Sequence, residues 1–401
     1  MAAQARIGQA RAAFQPRVHA AAGYQRLSAI EPFVLRVPRP GGESAIVIAP
    51  NIPNRYQLEA SVEQPLFQGG RLRAQLEAAR QEAAVAQAAE RAEQEALAYR
   101  IATAYWRYVE AQALATAAEE NVRRLEAHAQ DARNRRAQGL LLDSDVFDAE
   151  VALAQAQFDA LQRRQAAERA AVTLNALVGL PPDATPVPTD RPDTAARAVP
   201  SLDTLRAWAL RRRPDLAGLR YAIARAAALQ AAARAGHWPQ VALVGRYVYA
   251  RPNPRLFPLQ DRFQSAWDVG LSLSFELWNG QRTRHQVAEQ VAEAAALRRQ
   301  AEAQEAEARR ELDVALTQAR LDVERAYEQL ALARRVVRQA EARYGVVHEE
   351  FTRGLRTVRD LLDAEAARTQ AHAVEIQAGT ACALAWLALH QATGTLLDSQ
   401  P

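Results

Sequence analysis

Residues 139–150 read GLLLDSDVFDAE, and residues 354–365 read GLRTVRDLLDAE. The match continues without a gap from Gly139–Gly179 to Gly354–Gly394, at one constant offset (354 − 139 = 215 and 394 − 179 = 215). Two further pairs of segments match upstream. They are ARAAFQPRVHAAAGY (10–24) with ARAGHWPQVALVGRY (233–247), and PLFQGGR (65–71) with ELWNGQR (276–282). A duplication of this extent predicts a fold built from two copies of one structural unit.

The duplication divides the chain into two repeats. We predict a first structural repeat at 1–179, a Pro-rich crossover linker at 180–200 and a second repeat at 201–401. Met1 falls on the counterpart of Ala224, inside a helix of the second copy. We therefore expect the first repeat to be N-terminally truncated, with its natural start further upstream.

Composition excludes several classes of protein. The 401 residues carry a net charge of +4, but the arginines alternate with acidic residues along helical stretches, so no nucleic-acid partner is predicted. Cys382 is the single cysteine and can form no intrachain disulfide. The histidines form no metal-ligand motif, and no phosphate-binding glycine loop is present. We predict no metal, no cofactor and no enzymatic activity.

Short segments with a period of two residues predict β-strands. The clearest runs from Trp267 to Leu277, with apolar residues on one face and polar residues on the other. Three weaker ones complete two predicted hairpins, at about 16–66 and 240–277, whose connections, Leu27–Arg55 and Arg251–Ser265, are expected to be Pro-rich loops. Alternation of this kind suits a transmembrane barrel strand or a soluble sandwich strand. Two hairpins cannot close a barrel alone, so membrane strands would require several chains.

Long helices are predicted after each hairpin, at about 72–138 and 282–353, each roughly 100 Å long at 1.5 Å per residue. In the second, apolar residues recur every seven positions, which is typical of a coiled coil. These are Leu316, Val323, Leu330, Val337, Tyr344 and Phe351. Shorter return helices are predicted at about 143–178 and 357–393, with Ser144 or Asp143 capping one and Thr357 the other. A further helix is predicted at about 214–236.

This order of elements, given twice, resembles the TolC-type outer-membrane efflux proteins. The segments that carry the resemblance are PLFQGGR, QGLLLDSDVFDAE, LNALVGLP, RRPDL and RGLRTVRDLLDAE. The resemblance implies a mainly α fold with a membrane β-barrel part. Duplicated helix–hairpin–helix repeats would form, as a homotrimer, a 12-stranded β-barrel continued by a long α-helical barrel. It implies an exit duct in the outer membrane of a Gram-negative bacterium, with the helical part in the periplasm. The partners would be a periplasmic adaptor protein and an inner-membrane pump.

The resemblance also implies site residues at the helix turns. The duct would be gated at its periplasmic tip by Asp145, Arg356, Asp360 and Asp363. Phe351 stands where the family often has Tyr, so no hydroxyl contact is expected there. The adaptor would contact Gly139, Leu140, Gly354 and Leu355. From the residues alone, Asp145 and Asp360 are equally well explained as helix N-terminal carboxylates.

Two alternatives remain open at this stage. A soluble or periplasmic coiled-coil scaffold or adaptor would explain the heptads but not four amphipathic strands placed symmetrically between helices. A truncated, non-functional channel fragment would explain the position of Met1. The sequence identifies neither the transported substrate nor the pump.

Overall fold

The computed structural model describes residues 2–192, 194–195, 197–257 and 259–397. The chain forms two compact units, and both repeats contribute to each. Unit 1 contains the chain up to Gln87 together with Gly218–Glu305, and unit 2 contains Ala88–Ala217 and the residues from Ala306 onward.

Six strands lie in unit 1. They are β1 (Arg17–Arg26), β2 (Phe33–Arg39), β3 (Gly42–Ala49), β4 (Asn54–Phe67), β5 (Gln240–Arg251) and β6 (Gln264–Ser274). Four of them form an antiparallel sheet in the order β1-β4-β5-β6, so each repeat supplies one adjacent pair of strands. The pairs join where β4 meets β5, in a register that places Ala60 opposite Tyr247. The duplicated sequence therefore produces one continuous sheet.

The connection between β1 and β4 was expected to be a loop, and this prediction was wrong. It contains the β2–β3 hairpin, a separate two-stranded sheet. The flanking runs FVLRV and AIVIA are rich in β-branched residues, which favour strands. The turn between them contains Gly41, and Gly42 begins β3. Their φ values are 108° and 145°, a region that glycine enters at little steric cost.

The last strand is displaced from its predicted position at 267–277. β6 ends at Ser274, which pairs with Gln240, the first residue of β5. Pro239 precedes Gln240 and has no N–H to donate, so the ladder cannot continue. Apolar and polar residues therefore still alternate at 275–277, although these residues pair with no described strand and lie outside β6.

One face of this sheet is apolar and exposed. Trp267 and Leu271 on β6 leave 72% and 71% of their surfaces uncovered. The other face is polar, and there Arg246 and Arg255 both approach the Asp268 carboxylate, at 3.4 and 3.0 Å. Exposed apolar side chains opposite a polar face are the pattern of a strand between lipid and a water-filled lumen.

Seven helices occur among the described residues. They are α1 (Ala2–Ala12), α2 (Arg71–Ala137), α3 (Asp143–Val178), α4 (Leu202–Arg212), α5 (Pro214–Arg234), α6 (Arg282–Thr352) and α7 (Val358–Thr393). A 3₁₀ turn at Ala235–His237 follows α5. Helix α4 was not predicted, although Ser201 caps it by accepting the Thr204 N–H at 3.3 Å. In the described part of the chain, no helix has the length and apolarity needed to cross a membrane.

The heptad residues of α6 form the core of unit 2. Leu312, Leu316 and Val323 are almost completely buried, and they pack with Leu205 of α4 and Leu389 of α7. The described part of the crossover linker lies first on α2 and α3 and then on α6, where the Tyr327 hydroxyl donates to Ala195 O at 3.0 Å. The Tyr108 hydroxyl donates to Pro186 O at 2.6 Å, and the Asn175 amide donates to Ala184 O at 2.7 Å. These bonds hold the linker although it has no regular structure.

Candidate functional site

Two helix turns in unit 2 carry most of the predicted site residues. We call them the first tip turn (Gln138–Leu142, between α2 and α3) and the second tip turn (Arg353–Thr357, between α6 and α7). Each contains a glycine in the left-handed conformation, Gly139 at φ 75° and Gly354 at φ 77°. A Cβ at either position would add torsional strain and no clash, because nothing lies within 4 Å.

The two turns end their long helices with the same hydrogen bonds. Leu140 N donates to Arg135 O at 2.9 Å, and Leu355 N donates to Glu350 O at 2.9 Å. The glycine N–H groups donate to Arg136 O and Phe351 O, also at 2.9 Å. This pairing is the Schellman motif, which satisfies carbonyl groups that a helix C-terminus leaves open.

Of the two predicted caps of the return helices, the cap of α7 is correct and the cap of α3 is wrong. Thr357 caps α7, since its hydroxyl accepts the Asp360 N–H and the Asp360 carboxylate accepts the Thr357 N–H at 3.1 Å. The cap of α3 is Leu142, neither Ser144 nor Asp143. Leu142 is the counterpart of Thr357 at the 215-residue offset between the repeats. A leucine side chain cannot accept a hydrogen bond, so only half of this capping box exists. Its one side-chain bond runs from Leu142 N to Asp145 Oδ2 at 3.0 Å.

The four predicted gate residues lie in or just after these turns, with different partners. Asp145 and Asp360 bind backbone N–H groups, and these bonds lower the pKa of Asp360. Arg356 donates to Glu350 Oε2 at 2.8 Å and joins none of the three aspartates by a hydrogen bond among the described residues. Asp363 is exposed.

The predicted adaptor-contact leucines are among the exposed apolar residues. Leu140 is 67% exposed and Leu355 is 70% exposed. Their glycine neighbours, Gly139 and Gly354, are also exposed. Two equivalent turns thus present the same arrangement of an open glycine followed by an uncovered leucine.

A small apolar core supports both turns. Ala129 of α2, Ala149 of α3, Phe351 of α6 and Leu361 of α7 are buried together. Phe351 lies under the Arg135 guanidinium, whose central carbon is 4.8 Å from the ring centroid. The position that often holds Tyr in the family is therefore part of the core and makes a cation–π contact.

Two ion pairs between the repeats, in the helices next to the tip turns, were missed by sequence reasoning. Arg359 of α7 approaches Asp148 of α3 at 3.9 Å. Arg124 of α2 donates to Glu365 of α7 at 2.6 Å. A heptad pattern orders residues along a helix but does not state which helix lies alongside, so only the tertiary structure reveals such pairs.

Two further features of the described residues concern metal binding and thiol chemistry. They include no group of three or more His, Cys, Asp or Glu side chains able to hold a metal ion. Burial raises the pKa of the Cys382 thiol, which keeps it protonated and unreactive. A sheet with an exposed apolar face, combined with long duplicated helices, is the architecture of outer-membrane channels.

Comparison with known proteins agrees with this class. The sequence profile of the outer membrane efflux protein family matches residues 1–180 and 205–395. The chain belongs to this family. It is accordingly an outer-membrane exit duct of efflux systems, as the resemblance in its motifs predicted. No similar sequence was found among curated proteins.

Solved structures share the fold. The outer membrane protein VceC from Vibrio cholerae is 22% identical with a TM-score of 0.74, and the alignment covers 98% of this chain and 90% of VceC. The outer-membrane channel OprN is 23% identical with a TM-score of 0.71, covering 98% and 84%. The Neisseria gonorrhoeae MtrE outer membrane channel is 19% identical with a TM-score of 0.72, covering 98% and 83%. These structures confirm the predicted fold, mainly α with duplicated repeats, and membership of the family confirms the outer-membrane location.

Proposed function

We propose that the chain acts as a homotrimer that conducts solutes passively from an inner-membrane pump and a periplasmic adaptor to the outside. The proposal assigns closure to residues near the tip turns and adaptor binding to the tip leucines. It gives the chain no enzymatic role, since membership of a channel family accounts for its architecture. A soluble scaffold is not favoured, because it leaves the exposed apolar face of the sheet without a partner.

The single observation that carries assembly with further copies of the chain is the second apolar stripe of α6, and the number three comes from the resemblance to the family. Val314, Leu321 and Leu332 are 57%, 47% and 61% exposed. At 100° per residue they lie on the side of α6 opposite the buried seam of Leu316 and Val323. A helix that is apolar on two opposite sides is expected to pack between two neighbours, as the helices of a barrel do.

A second stripe on α3 supports the same conclusion. The exposed fractions of its five side chains range from 47% to 64%, and at 100° per residue all five fall within about 40° of one line along the helix. They are Phe147, Val151, Phe158, Leu161 and Val172. In the sheet, β1 and β6 are terminal strands with one unpaired edge each. Further copies of the chain would cover the stripes and pair both edges. Pairing is required in lipid, because the backbone N–H and C=O groups of an open edge would have no hydrogen-bond partners there.

Closure is assigned to the charges at the tip. In a symmetric trimer, each aspartate near the turns would occur three times around the axis, and rings of carboxylates select cations and narrow a pore. Asp363 is the best candidate for a gate residue, because it is exposed and has no role in a helix cap. Asp145 and Asp360 would combine the roles of cap and gate.

The test is electrical recording of the purified protein in planar lipid bilayers. Asp363→Asn and Arg356→Gln should each raise the mean conductance, whereas Asp322→Asn, a matched exposed acid on α6, should not. Unchanged conductance in both tip variants, with intact trimers, would refute gating at the tip. A wild-type protein that is monomeric in detergent and inserts no pores would refute the duct as a trimer.

A further inference from the structure

Each repeat contains a cavity at the point where a strand of the main sheet is followed by a long helix. We call them the first junction cavity, before α2, with a volume of about 320 Å³, and the second junction cavity, before α6, with a volume of about 410 Å³. Each is lined by a leucine, the aromatic residue directly after it and an arginine of the first helical turn. These are Leu66, Phe67 and Arg73 in the first cavity, and Leu277, Trp278 and Arg284 in the second. One offset relates the two sets (277 − 66 = 211 and 284 − 73 = 211), so the duplication has produced the same combination of side chains twice.

Both junction cavities lie at the periplasmic end of the sheet, because β4 and β6 lead there into α2 and α6, and the helical part lies in the periplasm. Leu277 continues the alternate positions of the exposed apolar face of β6 and is 86% exposed, and Trp278 is 79% exposed. The ladder of β6 ends at Ser274, so both side chains belong to residues within about 14 Å of the last paired one. Tryptophan is enriched where a bilayer meets water. The cavities therefore adjoin the lipid-facing surface of the sheet at the periplasmic boundary of the membrane.

The arginines of both cavities are free to bind an anion. Arg73 and Arg284 are exposed, and among the described residues neither has a hydrogen bond or an ion pair. Glu276 lines the second cavity, where its carboxylate accepts from the Thr283 hydroxyl at 2.7 Å. Its counterpart in the first cavity is Pro65 (276 − 211 = 65), so the acid is not part of the arrangement that the repeats share.

The shared arrangement fits an amphiphile with an anionic head and an apolar tail. A guanidinium donates in a planar fork that matches the oxygens of a phosphate group. Exposed leucine and aromatic side chains cost free energy in water unless apolar groups cover them. Acyl chains already cover the adjoining face of the sheet, so a lipid can satisfy both requirements at one place.

We propose that each junction cavity binds the headgroup of an anionic phospholipid from the leaflet that faces the periplasm. The guanidiniums of Arg73 and Arg284 bind the lipid phosphate, and the acyl chains lie along the leucine and the aromatic ring of the same cavity. The proposal goes beyond conduction of solutes. It depends on the outer-membrane location of the chain, and neither the trimer nor the gate enters it.

Native mass spectrometry of the purified full chain in detergent tests the site. The probes are dioleoyl phosphatidylglycerol, which is anionic, and dioleoyl phosphatidylethanolamine, which is zwitterionic and carries the same acyl chains. The wild-type chain should bind the anionic lipid about fivefold more tightly, since each arginine near a membrane surface favours anionic lipid by about this factor. Arg73→Gln combined with Arg284→Gln should abolish the preference.

Matched controls separate the arginine effect from the apolar one. Arg91→Gln combined with Arg299→Gln removes two exposed arginines at least about 22 Å further along the same helices and should keep the preference. Leu66→Ser combined with Leu277→Ser should weaken the binding of both lipids alike, because the acyl chains lose their contacts while the phosphate keeps its arginines.

Four results would overturn the proposal. They are equal affinity of the wild-type chain for the two lipids, loss of the preference in the arginine controls, displacement of the anionic lipid by excess inorganic phosphate, and a change of oligomeric state with unchanged lipid preference in the arginine variant. The third would assign the cavities to free phosphate, and the fourth to a second copy of the chain. Should the glutamine variant fail to fold, Arg73→Lys combined with Arg284→Lys keeps both charges and should keep the preference, whereas its loss would refute a role for charge. A chain that forms pores but shows no lipid preference would refute this site and leave the duct untouched.

Discussion

Leu140 and Leu355 lie 215 residues apart and occupy the same place in two turns with the same hydrogen bonds, each directly after a left-handed glycine and each about two-thirds exposed. Exposed leucines cost free energy in water unless a partner covers them. Their repetition at both turns is explained by a partner that binds the two repeats in the same way, which is the adaptor role assigned above.

Replacement of these leucines should uncouple the duct from its adaptor. Leu140→Glu with Leu355→Glu should abolish co-purification of the adaptor, because the apolar contact is lost and two charges are buried against it. Val187→Glu is the control, since Val187 is 82% exposed and lies in the linker. Full adaptor binding by the double leucine variant would contradict the assignment.

The two glycines of PLFQGGR should differ in how much stability they lose on substitution by alanine. Gly69 and Gly70 both have positive φ, at 61° and 85°. A Cβ on Gly69 would meet Ala235 O at 2.8 Å and Trp238 Cβ at 2.6 Å, whereas nothing lies near Gly70. Gly70→Ala should cost about 1–2 kcal/mol of conformational strain. Gly69→Ala should cost about 1–3 kcal/mol more through the clash. Thermal unfolding of the two variants should rank them in this order, and equal losses would contradict the packing.

The half-formed cap of α3 offers a stabilising substitution. Leu142→Thr would supply the hydroxyl that Thr357 supplies to α7, at a position where the leucine is 71% exposed. The gain should be about 1 kcal/mol, and Thr357→Ala should lose a similar amount. Denaturant unfolding measures both changes. A destabilised Leu142→Thr protein would show that Leu142 has a packing role absent from the described contacts.

Acid should weaken unit 2 through two half-buried histidines. Burial lowers the pKa of His128, with His348 and Arg368 acting in the same direction and Glu365 and Asp131 opposing, and burial also lowers the pKa of His390. Because the folded pKa lies below the unfolded value of about 6.5, this stability is present above pH 6.5 and is lost as pH falls through the folded pKa. The melting temperature should fall less between pH 7.5 and 5.0 in His128→Gln and His390→Gln. Identical losses in wild type and both variants would disprove the linkage.

Trimer assembly should depend on the exposed stripe of α3. Phe158→Arg places a charge where a neighbouring chain would pack, so the trimer should dissociate in native mass spectrometry. Gln157→Arg adds the same charge at an exposed position about 100° round the helix and should leave the trimer intact. Trimers of normal stability in the Phe158 variant would exclude this stripe from the interface.

The sequence alone determined the duplication, the four strands of the main sheet and the long helices, because each of these leaves a local signal. Period-two alternation identified β6 and its partners, seven-residue spacing identified α6, and glycine marked both helix ends. Even the Leu142 cap was readable from the 215-residue offset. The end of β6 depends on Pro239, which precedes the first residue of its partner strand β5. The three-residue displacement of β6 could therefore not be predicted from the alternating pattern of β6 alone.

Only the tertiary structure decided which side chains meet across the repeats. Glu150 and Glu365 carry the same local motif, DAE, but one is exposed and the other is buried against Arg124. Periodicity reports which face of a helix is apolar and is silent about the identity, register and charge of the helix that covers it. An ion pair between residues 241 positions apart has no signal in either segment alone.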